Sequence, residues 1–220
     1  MHFRNGAVAI ALVAMLLLRL VDERKVGLDD RISTWLPDLP QADRVTLRHL
    51  AQMTSGYADY VRDPGFVNAF LANPFRQWMP DELLAYAVHK PLFFEPGTNW
   101  AYAHTNYVIL GQVLEKITGR PVRELMQEKI LDPLCMTQTC DPQSAAIPEP
   151  VLRAYSSERR QFLRIPPGTS YYEESTFWDP SWTLTHGAIQ VTDLYDLHTS
   201  AVAFGSGRLL SPESHAAQVS

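Results

Sequence analysis

The chain has 220 residues, 46% of them hydrophobic and 20% charged, with a formal net charge of −5. That is the profile of a soluble globular protein, long enough for one large domain or two small ones. The acidic balance and the lack of a basic cluster argue against a nucleic-acid footprint, so no nucleic-acid partner is expected.

In chain order, Ala7 to Leu18 is an unbroken apolar run preceded by Arg4, which invites a signal-peptide reading. It is shorter than the roughly 20 residues that span a bilayer, and no small-residue cleavage site precedes the charged group Arg19, Asp22, Glu23, Arg24 and Lys25. No membrane span is therefore expected. Thr46 caps a predicted helix over Leu47 to Met53, and Pro80 with Asp81 and Glu82 starts another through His89. Pro96-Gly97 reads as a turn and Tyr102-Ala103-His104 as a short polar loop. From Asn106 to Thr118, Val108, Leu110, Gly111, Leu114 and Ile117 recur at helical spacing until Gly119. A tyrosine loop opening a buried helix serves either as a catalytic device or as ordinary packing. Pro121 starts a helix carrying Leu125, Met126, Ile130 and Leu131; Thr192-Asp193 caps Leu194 to Phe204, and Ser211-Pro212-Glu213 opens a last helix. Sixteen prolines, in loops such as Pro37-Asp38-Leu39-Pro40 and Pro166-Pro167-Gly168, predict helices separated by stiff connections.

Between the helices, Tyr155 to Trp182 is rich in aromatics (Tyr171, Tyr172, Phe177, Trp178, Trp182), read as packing ahead of a substrate-facing loop. Cys135 and Cys140 are read as free thiols, with a bridge left open by their separation. No histidine pair has metal-ligand spacing, so neither a metal nor a cofactor is expected.

Five stretches carry a resemblance. Glu95 to Thr139 is similar to a PGT-x-x-x-Y-S-N-x-x-Y-x-x-L-G-x-x-x-E-x-x-T-G pattern, and Phe3 to Asp30 to F-R-x-G-S-x-x-K followed by LVDEGKLSLDD. VTLRHLAQMTSGY (Val45 to Tyr57) resembles ITLRHLLTHTSGL, Gly187 to Leu197 resembles GGLxSTxxDLxxF, and Gly207 to Glu213 resembles GxLLSPE. These patterns, in this order, are those of the serine β-lactamase and D-alanyl-D-alanine carboxypeptidase family. The resemblance implies an α/β (α+β) fold of the β-lactamase/transpeptidase type, here a mostly helical portion with an incomplete antiparallel sheet. It is read as a single domain over residues 1–220, truncated at both ends, with strands missing before Phe3 and after Ser220. The apolar run from Ala7 then becomes the buried helix that carries the nucleophile in active relatives. Such relatives are often exported; nothing in this sequence assigns a compartment.

The resemblance also implies site residues. The family's acylating serine and lysine, one helical turn apart, fall at Ala7 and Ile10. A methyl group offers no nucleophilic oxygen, and isoleucine neither accepts a proton nor supplies a cation. Tyr102 stands at the family's Tyr-x-Asn tyrosine, whose implied role is proton transfer, and His104 replaces the Asn. The family's Lys-Thr-Gly or His-x-Gly strand matches none of Lys25, Lys90, Lys116 or Lys129; Thr185-His186-Gly187 lies in a segment that precedes it. His49 is read as structural, and Ser55 as part of a buried turn. Ser156 with Arg159 lacks a base, because a guanidinium stays protonated. The expected protein is thus a degenerate serine hydrolase relative, inactive or very weak. The alternatives are a non-catalytic protein that holds a small molecule or peptide in the Tyr102/His104 cleft, and a weak hydrolase acting through water.

Overall fold

The computed structural model describes residues 1–219. Among these, eight α-helices make up most of the regular secondary structure: α1 (Ala9–Asp22), α2 (Leu47–Ala51), α3 (Pro64–Ala72), α4 (Pro80–Leu84), α5 (His104–Thr118), α6 (Val122–Met126), α7 (Leu194–Ser206) and α8 (Pro212–Val219). Four strands of two residues each form two antiparallel pairs. β1 (Phe3–Arg4) pairs with β4 (Val191–Thr192), and β2 (Tyr155–Ser156) with β3 (Glu173–Glu174).

Helix α1 is apolar almost all round, and eight of its residues, including Leu12, Met15, Leu16 and Leu20, are buried. A helix of that kind is stable only when surrounded. Here it contacts α5, α6, α7 and α8. Its C-terminal Asp22 accepts hydrogen bonds from the hydroxyls of Ser211 (2.7 Å) and Ser214 (2.6 Å) and from the Ser211 N–H (2.8 Å), which fixes the start of α8. The central helix α5 is flanked by α2 and α4 and ends at Gly119, whose φ of 69° suits a residue without a Cβ.

The caps form where the residue types predict them. Thr46 and His49 make a reciprocal capping box, with His49 Nδ1 accepting the Thr46 N–H. Burial lowers the His49 pKa against the opposing pull of Asp29, which keeps that nitrogen an acceptor. Asp193 caps α7, and Ser211 accepts from Ser214 at the start of α8. The lengths differ more. α2 stops at Ala51, because Met53 turns to a φ of 56°, and α4 loosens into turns after Leu84. α1 runs on to Asp22, and α3, capped by Asp63, is a helix that the apolar periodicity did not reveal.

Most of the buried hydrophobics form one continuous core from Ala9 to Ala203. Each fully buried Leu, Ile, Val or Phe contributes about 1.5–3 kcal/mol. One side of that core is aromatic. Phe66 meets Trp78 at 5.0 Å and Tyr60 at 5.3 Å between centroids, and Phe70 meets Trp182 at 5.0 Å and Trp178 at 5.7 Å. The aromatic stretch before Trp182 thus divides: Trp178 and Trp182 pack inward, whereas Tyr172 is 72% exposed.

Candidate active-site cleft

The segment that leads into α1 is held from both sides. Asn5, nearly buried, donates its N–H to the Gln190 carbonyl and accepts the Gln190 N–H on Oδ1, both at 3.0 Å. Gly6 follows with a φ of 54°, and a tight 3-10 turn over Gly6–Val8 delivers Ala7 to the surface and Ile10 to the first turn of α1. Both face a cavity of about 740 Å³, together with Ala14, Trp100, Tyr102 and Tyr107.

The polar groups on this cavity are few. Arg48 is committed to Asp29 through two hydrogen bonds of 2.8 and 3.0 Å, and the Tyr107 hydroxyl donates to the Ala51 carbonyl at 2.9 Å. Tyr102 keeps its hydroxyl without a hydrogen-bond partner among the described residues. Burial raises its pKa, and the negative charge of Asp59 adds to the effect, so the phenol is a donor rather than a phenolate. Among the described residues no serine, cysteine, lysine, aspartate or glutamate lines the cavity.

His104 is not in the loop where the residue pattern put it; it is the first residue of α5. Its backbone N–H donates to Asp59 Oδ1 at 3.2 Å, and its ring Nδ1 lies 3.3 and 3.2 Å from the two Asp59 oxygens. Asp59 is 4% exposed and also accepts the Val61 N–H. The Tyr102 and His104 rings meet edge to face at 5.1 Å. The structure therefore brings Ala7, Ile10 and Tyr102 to one cavity and seats His104 behind Tyr102. Asp59 escaped the sequence reading. Its one signal is position, in Ala58-Asp59-Tyr60 just past the VTLRHLAQMTSGY stretch.

The other hydroxyls lie elsewhere. Ser55 is fully buried, donates to Asn106 Oδ1 at 2.5 Å and accepts the Tyr57 N–H. Arg159 is spent on Glu173 and the Leu71 carbonyl. Thr185, His186 and Gly187 line a separate cavity of about 170 Å³, and His186 Nε2 sits 2.7 Å from the Trp78 carbonyl. Among the described residues no group of three or more His, Cys, Asp or Glu is gathered as a metal site, no helix is long and apolar enough to cross a membrane, and Cys135 and Cys140 are free.

A family pattern described as Beta-lactamase matches residues 1–219. The chain belongs to the beta-lactamase family. Esterase EstB of Burkholderia gladioli is 32% identical over 161 residues, which cover 66% of this chain and 41% of that one. The crystal structure of a D-stereospecific amidohydrolase from Streptomyces sp. superposes with a TM-score of 0.87 at 32% identity, over 98% of this chain and 64% of the other. A D-amino acid amidase from Ochrobactrum anthropi, complexed with D-phenylalanine, superposes with a TM-score of 0.79 at 25% identity, over 98% and 60%. The chain thus spans less than two thirds of each of these three relatives. The fold is of the β-lactamase/transpeptidase type, mostly helical with small antiparallel sheets, and the relatives are serine hydrolases of the penicillin-binding, esterase and amidase kinds.

Proposed function

We propose that this protein is a non-acylating member of its family, which holds a carbonyl-bearing small molecule or peptide in the cleft without forming a covalent intermediate. One observation carries the reading: Ala7 and Ile10, at the positions of the family's serine and lysine, share a cavity with Tyr102 that, among the described residues, no serine, cysteine or lysine lines. Acyl transfer needs a nucleophile and a base within hydrogen-bond reach of each other. The α1 wall of this cleft supplies neither.

The cleft itself favours retention of a ligand. It is largely apolar, within the size range of small-molecule pockets, and carries the uncommitted Tyr102 hydroxyl, a donor suited to a carbonyl oxygen, together with the carboxamide of Gln218, unpartnered among the described residues. Relatives that act on D-amino acid amides and esters make those compounds the first ligands to try.

Intact-mass spectrometry after incubation with an acylating β-lactam and an activated ester tests the first part. The expected mass is unchanged; a stable adduct means that a nucleophile operates in the cleft. Thermal melts with a D-amino acid amide or a peptide ester test the second. A ligand at a hundred times its Kd adds about 2.7 kcal/mol of stability, and a flat melting temperature across such ligands removes the binding reading.

A further inference from the structure

We infer that Asp59 and His104 form a base that activates water against an ester carbonyl held at Tyr102, a hydrolytic route that bypasses the vacant α1 positions. The inference rests on the reading of the cleft as a carbonyl site, and adds to it the group that does the chemistry.

The buried carboxylate decides which ring nitrogen reacts. An ionised carboxylate only accepts hydrogen bonds, and Asp59 faces Nδ1 of His104 at 3.2 Å while accepting the N–H groups of Val61 and His104 itself. The imidazole proton therefore resides on Nδ1, and Nε2 carries the lone pair. Nε2 has no hydrogen-bond partner among the described residues, and the His104 side chain is 14% exposed, which opens the ring to water. Placement at the first residue of α5 fixes the backbone, and the rings of Tyr60 (5.9 Å), Trp182 (6.0 Å) and Tyr102 (5.1 Å) fix the imidazole. Asp59, Tyr60 and Tyr102 are packed against it. Burial and the nearby Asp59 hold both phenols well protonated.

The step balances without any further reagent. Water oxygen adds to the ester carbonyl carbon as its proton passes to Nε2, and the Tyr102 hydroxyl donates to the carbonyl oxygen as charge builds there. Collapse breaks the bond to the alkoxy leaving group, which takes the proton back from Nε2. The products are a carboxylic acid and an alcohol, with His104 as general base and then general acid and Asp59 as a positioning residue.

The test is hydrolysis of p-nitrophenyl acetate by the full chain. General-base assistance contributes about 10²–10⁴-fold, so His104→Gln is expected to lower kcat/KM by at least tenfold. Asp59→Asn offers Nδ1 an amide that also donates, which moves the proton to Nε2; kcat falls at least tenfold with KM unchanged, a split that a loss of packing does not produce. A His104→Gln protein with the wild-type rate and a native melt overturns the inference. So does a wild-type chain that binds esters but turns none over, and in that case the cleft reading stands. A covalent adduct on the wild type instead overturns the non-acylating reading. Should the variants misfold, diethyl pyrocarbonate on the wild type decides: loss of turnover in step with modification of His104 supports the route, and full modification with turnover intact ends it.

Discussion

The wall of the cleft built from α1 and the wall that leads into α5 are each tied into the core by buried hydrogen bonds and differ in what they present. Ala7, Ile10, Ala11 and Ala14 offer only aliphatic carbon. The other wall offers a phenol without a partner, backed by an imidazole on a buried carboxylate. The first is anchored by the Asn5–Gln190 exchange and by burial of α1, the second by Asp59 and by the Ser55–Asn106 hydrogen bond. The scaffold around residues 7 and 10 therefore stands whatever those two side chains are, because packing and backbone hydrogen bonds depend on other residues.

The hardest test of that anchoring lies in the seating of α5. A Cβ on Gly111 would lie 2.0 Å from Thr185 Oγ1 and 2.2 Å from its Cβ, and Thr185 is buried. Gly111→Ala is expected to destabilise the protein by about 3 kcal/mol, at the upper end of overpacking costs, read as a fall in the thermal midpoint. A neutral result means that α5 does not rest on the Thr185 segment, and the wall behind Tyr102 is then softer than the α1 wall.

Next in size is Ser55→Ala. It leaves Asn106 Oδ1 and the Tyr57 N–H without their buried partner, at a cost of about 1–3 kcal/mol. Denaturant titration should show a lower midpoint with an unchanged slope. A loss near zero shows that the turn can be rebuilt around water.

A smaller effect marks the far end of α1. Burial pushes the Asp22 pKa up, but the hydrogen bonds from Ser214 and Ser211, with the charge of Arg19, outweigh it and leave the pKa lowered. A carboxylate whose pKa is lower folded than unfolded contributes stability above its unfolded pKa, and loses that contribution as the pH falls towards the folded value. Asp22→Asn should therefore be less stable than the wild type at neutrality. The gap should close on acidification below about pH 4, the ordinary range for aspartate, as followed by melts across pH. A constant gap places the effect in lost hydrogen bonds alone.

How much of this was legible in the sequence varies with range. Thr46, Pro80, Asp193 and Ser211 mark helix starts because a cap is a local arrangement of a few residues. Ends were less legible: α2 stops because Met53 adopts a positive φ and its N–H returns to the Leu50 carbonyl. His104 read as loop because the bond that makes it helical comes from Asp59, 45 residues away. Asp59 was missed for the same reason. A carboxylate becomes the partner of an imidazole only when the chain folds back on itself, and neither residue displays that alone.

Ala7 permits a comparison in which stability barely moves and function does. Its side chain is exposed on the cleft wall, so Ala7→Trp should stay within about 0.5 kcal/mol of the wild type. The indole would fill the space beside Tyr102, and ligand-dependent stabilisation should disappear. Ala7→Ser sharpens the point. On the proposed register it restores a hydroxyl, yet the residue one turn on is still Ile10, which accepts no proton, so mass spectrometry with an activated ester should show no acyl adduct. An adduct on Ser at position 7 would mean that a base reaches it from the Tyr102 side. The two walls would then be one reactive site with a single group removed, because the base would belong to the half that kept its chemistry.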